Sequence, residues 1–137
     1  MIFDNWELPD QYALNLLYQQ KAVVGGFSNN YYWSLTEGAT DYAYFQDFFS
    51  GDTATHHKLN THLIRPIRRV DKTKAPTVSI GQSYGGGIVF ATDVAGYILV
   101  AGTADLTPSV WAGGVQSCLD YSVDFPPYIG WGKVLSF

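Results

Sequence analysis

Three histidines lie close together in the chain, at positions 56, 57 and 62, and imidazole is the commonest metal ligand in proteins. The spacing of His56, His57 and His62 matches no known zinc pattern, and no neighbouring carboxylate is placed to orient them. We therefore interpret them as solvated loop histidines and predict no metal site.

Aspartates offer a second kind of metal chemistry, because calcium prefers hard oxygen ligands. Seven aspartates fall in segments that we expect to be loops: Asp41, Asp47, Asp52, Asp93, Asp105, Asp120 and Asp124. The Glu-Pro-Asn and Trp-Asn-Asp signatures of calcium-dependent sugar binders do not occur in the chain. Calcium is thus chemically possible but not indicated, and we expect surface aspartates and no cofactor.

Ser34, Ser83 and Cys118 are the side chains that could act as nucleophiles, but the sequence indicates no His and Asp partners for them. The glycine-rich run at residues 81–87 lacks the Lys-Ser/Thr ending of a phosphate-binding loop, and we predict a tight turn into an edge strand there. Cys118 is the only cysteine, so an intrachain disulfide is excluded. We predict that the protein is not an enzyme.

Aromatic residues cluster at Tyr31, Tyr32, Trp33, Tyr42 and Tyr44. Such rings combine a large apolar face with a polar tip and could form a stacking platform for sugars or an apolar partner. Because side chains alternate along a strand, only half of them can face one way. Tyr32, Tyr42 and Tyr44 are our candidate ligand-binding residues, with simple core packing as the alternative.

The densest positive patch consists of Arg65, Arg68 and Arg69. Guanidinium groups match the anionic groups of sulfated or acidic glycans, which makes Arg65 and Arg68 further ligand-binding candidates. In the alternative interpretation these arginines pair with Glu37 or an aspartate inside the domain.

Composition limits the class of protein. The 137 residues, 47% of them hydrophobic, suit one domain with a packed core. A net charge of −4 gives no basic surface for nucleic acid. No stretch approaches the ~20 apolar residues of a membrane span, and the N-terminus lacks the basic and apolar regions of a signal peptide. We expect neither membrane insertion nor a signal peptide in this chain.

The element pattern is easiest to interpret in the first half. Proline and aspartate begin a helix predicted over residues 9–20. Strands are predicted at residues 31–36, 42–49 and 63–70, with a polar loop at residues 53–61. Pro66 cannot donate to a strand ladder, so it belongs at an edge or a bulge.

The second half begins with a polar, proline-bearing linker at residues 71–77. Residues 88–91 and 97–101 are predicted to pair as a hairpin that turns at Gly96. From residue 105 to residue 137 we expect irregular backbone and small strands, punctuated by Trp111, Pro126-Pro127 and Trp131.

Four segments carry a resemblance to a known family. They are Trp6-Glu7-Leu8-Pro9 with the following Leu14-Asn15-Leu16-Leu17-Tyr18-Gln19, Tyr31-Tyr32-Trp33-Ser34-Leu35-Thr36-Glu37, Ile64-Arg65-Pro66-Ile67-Arg68-Arg69-Val70, and Ile80-Gly81-Gln82-Ser83-Tyr84-Gly85-Gly86-Gly87-Ile88-Val89-Phe90. The chain resembles the bacterial domains that include the Fibrobacter major paralogous domain and the C-terminal domain of collagen-like adhesins. The resemblance implies an α+β, C-type-lectin-like fold with one clear helix, a mixed, mainly antiparallel sheet and long loops.

The order of these segments differs from the family, in which the glycine-rich segment comes first. Residues 1–70 correspond to the family's C-terminal half and residues 78–137 to its N-terminal half, as in a circular permutation joined by the linker. Segments 64–70 and 87–91 should then be antiparallel neighbours, within one chain or swapped between chains. Alternatively, the chain joins the end of one repeat to the start of the next and completes itself by oligomerising. The helix that the family has before Trp6 has one candidate here, residues 115–121.

The resemblance implies adhesion or display rather than catalysis. We expect a homo-oligomer, with a trimer favoured, acting as a fibre or decoration protein of a phage virion or at an extracellular surface. Other virion or surface proteins, or glycans, are the expected further partners. The alternative is a secreted bacterial adhesin module that binds carbohydrate.

Overall fold

The structure is a computed structural model that describes residues 1–124. This part of the chain has a mixed α+β fold, mostly sheet with a few helices. The helices are α1 (Gln11–Gln19), α2 (Lys21–Val24) and α3 (Trp111–Asp120), with a 3₁₀ turn at Lys72–Lys74 in the predicted linker. The strands are β1 (Ile2–Phe3), β2 (Trp6–Glu7), β3 (Tyr31–Ala39), β4 (Tyr42–Asp47), β5 (Thr53–His57), β6 (His62–Ile64), β7 (Ile67–Asp71), β8 (Ser83–Tyr84), β9 (Gly87–Val94), β10 (Tyr97–Ala101), β11 (Leu106–Ser109) and β12 (Val123–Asp124).

Helix α1 begins after Asp10, whose carboxylate accepts a hydrogen bond from the Ala13 amide at 2.8 Å. This N-cap satisfies one of the backbone N–H groups that a helix start leaves free. The buried side chains Ala13, Leu14 and Leu17 lie on one face because residues three and four apart are neighbours on a helix. The predicted helix is confirmed, with Pro9 and Asp10 preceding its first turn.

The first five-stranded sheet has the order β2-β7-β10-β9-β8. Strands β9 and β10 form the predicted hairpin, which turns through Ala95 and Gly96 with φ of 52° and 85°. Positive φ at both central positions is typical of the turn whose twist matches that of a hairpin.

Strand β10 lies between β7 and β9, so the expectation that residues 64–70 and 87–91 are antiparallel neighbours is wrong. On β10, Ile98 is paired with Val70 of β7, and Val100 is paired with Val89 of β9. Residues 98–101 are all buried, as expected for a strand at the centre of a sheet. Strand β9 therefore pairs with β10 and not with β7. Residues 67–70 of the first segment and residues 87–91 nevertheless lie in this one sheet.

The strand predicted over residues 63–70 is broken at Arg65-Pro66. Strand β6 pairs with β11 and β3 in the second sheet, whereas β7 belongs to the first. Pro66 lies in the break, where its carbonyl accepts from the Gly102 amide at 2.9 Å. Because proline has no N–H to give to a ladder, it occupies the point at which the chain changes sheets.

The second sheet has the order β11-β6-β3-β4-β5. Its edge strand β5 covers residues 53–57 of the segment 53–61 that we predicted to be loop, so the prediction is wrong for these residues, whereas residues 58–61 do form the connection to β6. The backbone of β5 pairs with β4 in a continuous register from Gln46 opposite Thr53 to Tyr42 opposite His57. Side chains on this edge are largely exposed, so β5 lacks the apolar alternation by which a strand is recognised.

The main core lies between α1 and the two sheets. Its buried members include Ala13, Leu14, Leu17, Tyr32, Phe48, Ile67, Phe90 and Leu99. A second cluster joins the second sheet to α3 and contains Leu8, Trp33, Phe45, Ile64 and Cys118.

Helix α3 covers most of the segment that we named as the counterpart of the helix before Trp6. It is followed by β12, which pairs antiparallel with β1 so that Ile2 lies opposite Asp124 and Phe3 opposite Val123. Irregular backbone and small strands were expected from residue 105 onward. Up to residue 124 the short strands β11 and β12 agree with that expectation, whereas the 10-residue helix α3 does not. The remainder of the expectation lies outside the described residues.

Candidate functional site

Arg65 is the centre of a buried polar network, with only 1% of its surface exposed. Its guanidinium contacts the Asp105 carboxylate at 2.9 Å and stacks on the ring of Phe27, 3.9 Å from the centroid. It also donates to three main-chain carbonyls, those of Gly25, Gly26 and Gly102. An aspartate inside the domain therefore pairs with Arg65, as the alternative interpretation predicted.

Tyr32 belongs to the same network and is fully buried. Its hydroxyl donates to the other carboxylate oxygen of Asp105 at 2.8 Å and accepts from the Ser28 amide. Burial, together with the nearby carboxylate, raises the pKa of Tyr32. The placement of Tyr32 on a surface platform is wrong, because this face of β3 packs into the main core, and Arg65 likewise lies in the interior.

The other two arginines are also bound by the protein. Arg69 contacts Glu7 at 3.2 Å and Asp10 at 3.4 Å, while Arg68 donates to the carbonyls of Asp4 and Gly85. Burial lowers the pKa of Arg68. A role for Arg68 in ligand binding stays a prediction.

Glu37 pairs with Lys58 at the protein surface, not with an arginine as the alternative interpretation allowed. The Lys58 ammonium also lies over the ring of Trp111, 4.3 Å from the centroid. Lys58 thus links the β5–β6 connection both to Glu37 of β3 and to Trp111 at the start of α3.

Tyr42 and Tyr44 lie on the same, outer face of β4, whereas Ala43 and Phe45 are buried. Tyr42 is exposed and packs edge-on against His57, with 5.4 Å between ring centroids. Tyr44 is half-buried. Their shared face agrees with the predicted alternation, and their role in ligand binding stays a prediction.

The histidines are not solvated loop residues. His56 Nδ1 and His62 Nε2 are hydrogen-bonded at 2.8 Å, and their stacked rings pack against the aromatic side chains of Phe45 and Trp33. Burial, and then the neighbouring His56, lowers the pKa of His62 to about 4. Our interpretation was wrong because the curled second sheet brings β5 and β6 together over this aromatic cluster.

Two of the nucleophile candidates are interior residues. The Ser34 hydroxyl donates to the Tyr44 carbonyl at 2.8 Å and accepts from the Thr36 amide. Cys118 is fully buried, and burial raises the pKa of its thiol to about 12. Neither side chain is available as a nucleophile in this arrangement.

Ser83 stands in the middle of Gly81-Gln82-Ser83-Tyr84-Gly85, which has the spelling of a Gly-x-Ser-x-Gly nucleophile elbow. That elbow requires a strand, a sharp turn and a helix. Here the edge strand β8 turns through Gly85 and Gly86, both with positive φ, into strand β9. The predicted tight turn is confirmed, but the strand that it enters is not an edge strand, because β9 lies between β10 and β8, and β8 is the edge.

A groove that the sequence analysis missed lies between α1 and the β4–β5 connection. It has a volume of about 480 Å³ and is lined by Gln11, Tyr12, Asn15, Gly51 and Thr53. Gln46 is 1% exposed and lies beneath it, donating to the Asn15 side chain at 2.9 Å and the Gly51 carbonyl at 3.0 Å. The outward-facing Tyr12 and Asn15, three residues apart on α1, were the signal that could have revealed it.

Among the described residues, no three His, Cys, Asp or Glu side chains are grouped closely enough to hold a metal ion. The longest helix in this part of the chain, α3, has 10 residues, and none of these helices could cross a bilayer. No protein-family model, curated protein or solved structure matches the chain.

Proposed function

We propose that the chain is a non-catalytic display, adhesion or assembly domain with a circularly permuted, C-type-lectin-like fold. The observation that carries this proposal is the meeting of three family-like segments in one sheet. Trp6 of β2 is paired with Arg68 of β7, Val70 of β7 with Ile98 of β10, and β10 with the glycine-preceded strand β9. Two of the family-like segments thus supply the neighbouring strands β2 and β7, and the third supplies β8 and β9, beyond β10 in the same sheet.

The ends of the described region support the permuted order. Helix α3 packs against β2, and Tyr121 at its end contacts the Trp6 ring edge-on at 5.0 Å. Strands β12 and β1 then pair with each other. A helix therefore lies beside the Trp6 strand in space, as the family resemblance implies, although the two lie at opposite ends of the described sequence.

A structural use for the polar side chains supports a non-catalytic role. Arg65, Tyr32 and Asp105 bind one another in the interior, and Arg69 is held by two carboxylates. Catalytic groups need access to a substrate and pKa values suited to proton transfer. These groups instead connect the first sheet, the second sheet and the loops between them.

Exposed apolar side chains around Lys58 offer a surface for self-association. We call Tyr42, Leu59 and Val110 the Leu59 patch. The Lys58 backbone bonds to the chain neighbours of two of them. Its amide donates to the carbonyl of Asp41, which precedes Tyr42, at 2.8 Å, and its carbonyl accepts from the amide of Trp111, which follows Val110, at 3.0 Å. Leu59 is 74% exposed, and clustered exposed apolar groups are typical of interaction sites.

We place the protein in a homo-oligomer, with a trimer favoured, as a fibre or decoration protein of a phage particle. Light scattering tests this directly: the expected mass is three times the 15.2 kDa of one chain. Leu59→Ser should lower that mass, whereas Leu119→Ser, which removes an exposed leucine from α3, should not. A wild-type mass equal to that of one chain would overturn the proposed homo-oligomer.

A second candidate is a secreted adhesin module that binds carbohydrate as a monomer, and the groove beside α1 favours it. The mass of the wild-type protein separates the two candidates. Genomic neighbours provide independent evidence, since tail and capsid genes support the virion and surface-export genes support the adhesin.

A further inference from the structure

We propose that the groove beside α1 binds a neutral carbohydrate, with Tyr12 as the ring on which the sugar stacks. This inference rests on the adhesion role within the proposed function and names the ligand class. Neither the aromatic pair on β4 nor the arginines contribute to this groove, so it is a separate site from the candidates predicted from sequence.

The lining of the groove has the chemistry of a sugar site. Gln11 and Asn15 contribute amides, Thr53 a hydroxyl and Gly51 main-chain groups, and within residues 1–124 no charged side chain lines the groove. Amides and hydroxyls both donate and accept hydrogen bonds, as sugar hydroxyls do. Its volume of about 480 Å³ leaves room for a sugar that lies across an open, shallow surface.

Tyr12 supplies the aromatic surface. It lies in the first turn of α1 and is 64% exposed, so its ring is available to a ligand. A tyrosine ring offers an apolar face for the C–H groups of a pyranose and a hydroxyl for hydrogen bonding. Asn15 lies one turn further along the same helix face, which places an amide beside the ring.

The floor of the groove is held in place from below by Gln46. The Gly51 carbonyl can only accept a hydrogen bond, so the Gln46 side-chain atom that faces it is the donor Nε2. The same nitrogen also donates to Asn15 Oδ1. Thr53 is the cross-strand neighbour of Gln46. The Gln46 side chain therefore holds Asn15 and Gly51, and the backbone pairing of β4 with β5 places Thr53.

Gln46 also carries an unusual polar atom. Its Oε1 is buried without a hydrogen-bond partner in the described part of the chain, and buried acceptors in folded proteins almost always have one. Because Oε1 is not exposed and Gln46 does not itself line the groove, the side-chain contacts that the groove offers to a ligand are those of Gln11, Tyr12, Asn15 and Thr53.

A neutral ligand is favoured over an acidic one because the arginines are engaged elsewhere. Arg65 is buried against Asp105, and Arg69 is paired with Glu7 and Asp10. No cationic side chain from the described part of the chain lines the groove, so a sulfate or carboxylate would find no counter-charge among these residues.

Isothermal titration of the full chain tests the proposal with maltotriose, lactose and chitotriose as neutral probes and heparin as the sulfated one. We expect at least one neutral probe to bind, and Tyr12→Ala to weaken that binding at least tenfold. Tyr97→Ala, which removes another exposed tyrosine from β10, is the matched control and should leave the affinity unchanged. Asn15→Ala should also weaken binding.

Three outcomes would overturn the proposal: no binding of any neutral probe, equal affinity of Tyr12→Ala and wild type, or binding of heparin alone. Circular dichroism of each variant confirms that it is folded. Light scattering of the same samples tests the oligomer separately. A monomer that binds sugar through Tyr12 would refute the virion assembly but keep the groove, and a trimer that binds none would do the reverse.

Discussion

Arg65 and Asp105 are forty positions apart in the chain, yet the guanidinium and the carboxylate meet at 2.9 Å in the protein interior. Arg65 lies where the chain passes from the second sheet to the first, and Asp105 lies just before β11. The ion pair therefore links the segment between β6 and β7, where the chain passes from one sheet to the other, to the start of β11. Strand β11 is an edge strand of the second sheet.

Replacing Arg65 by alanine should be strongly destabilising. The change leaves the Asp105 carboxylate without its counter-charge and removes the donors of several main-chain carbonyls, so we expect a loss of about 3–5 kcal/mol in the free energy of unfolding. Urea denaturation measures it. Arg69→Ala is the control, with an expected loss of about 1 kcal/mol or less because its ion pairs are partly exposed. Equal losses in the two variants would contradict the network.

Stability should rise with pH between about 4 and about 6.5 because of His62. Its pKa is lowered in the folded state to about 4 from an ordinary value of 6.5, so the unfolded chain binds more protons in this window. Neutral His62 contributes on the order of 2 kcal/mol to the free energy of unfolding. This contribution is fully present above pH 6.5 and is lost as the pH falls toward 4.

Urea midpoints measured across that pH range test the role of His62. His62→Gln should flatten the pH dependence, whereas His57→Gln, which alters a histidine outside the hydrogen-bonded pair, should keep the wild-type slope. A slope that survives in His62→Gln would show that another group is responsible.

Gly87→Ala should disrupt the first sheet. A Cβ at this position would lie 2.0 Å from the Ala101 carbonyl oxygen, and backbone atoms cannot move aside as a flexible side chain can. We expect destabilisation above about 3 kcal/mol, within the range of severe core substitutions. At Gly96, where φ is 85° but the space is open, alanine should cost only about 1 kcal/mol. Thermal unfolding of both variants compares them, and a tolerated Gly87→Ala would refute the close approach of β9 and β10.

The Cys118 thiol should be almost inert in the folded protein. It is buried, and its pKa is raised to about 12, so little thiolate is present or accessible at pH 8. Iodoacetamide labelling followed by mass spectrometry should be slow in buffer and fast in urea. Similar rates under the two conditions would mean that Cys118 is exposed.

Local signals made α1 and the β9–β10 hairpin predictable from sequence. The Asp10 cap and the apolar spacing of α1 act within one helix, and the turn at Gly96 joins strands that are adjacent in sequence. Such features need no knowledge of distant contacts.

Features set by distant contacts were not predictable. Which of the alternating tyrosines is buried depends on α1 and Phe48, which pack over Tyr32. Strand β5 is polar because it is an edge, and the His56–His62 pair exists because the second sheet curls. The groove beside α1 combines a helix face, which the spacing of Tyr12 and Asn15 indicates, with the turn between β4 and β5, and no local pattern places that turn beside the helix.

A disulfide trap between β7 and β10 tests the central claim most directly, namely that the arginine-bearing strand and the hairpin form one sheet within one chain. Val70 and Ile98 are register partners, and opposed residues with Cα atoms about 4.5–5.5 Å apart lie within disulfide range. Val70→Cys with Ile98→Cys should form an intrachain disulfide that migrates as a single chain on a denaturing gel. Val70→Cys with Val89→Cys, two strands apart, should not. Failure of the first pair to link, or linked dimers in its place, would contradict the permuted lectin-like sheet on which the proposed function depends.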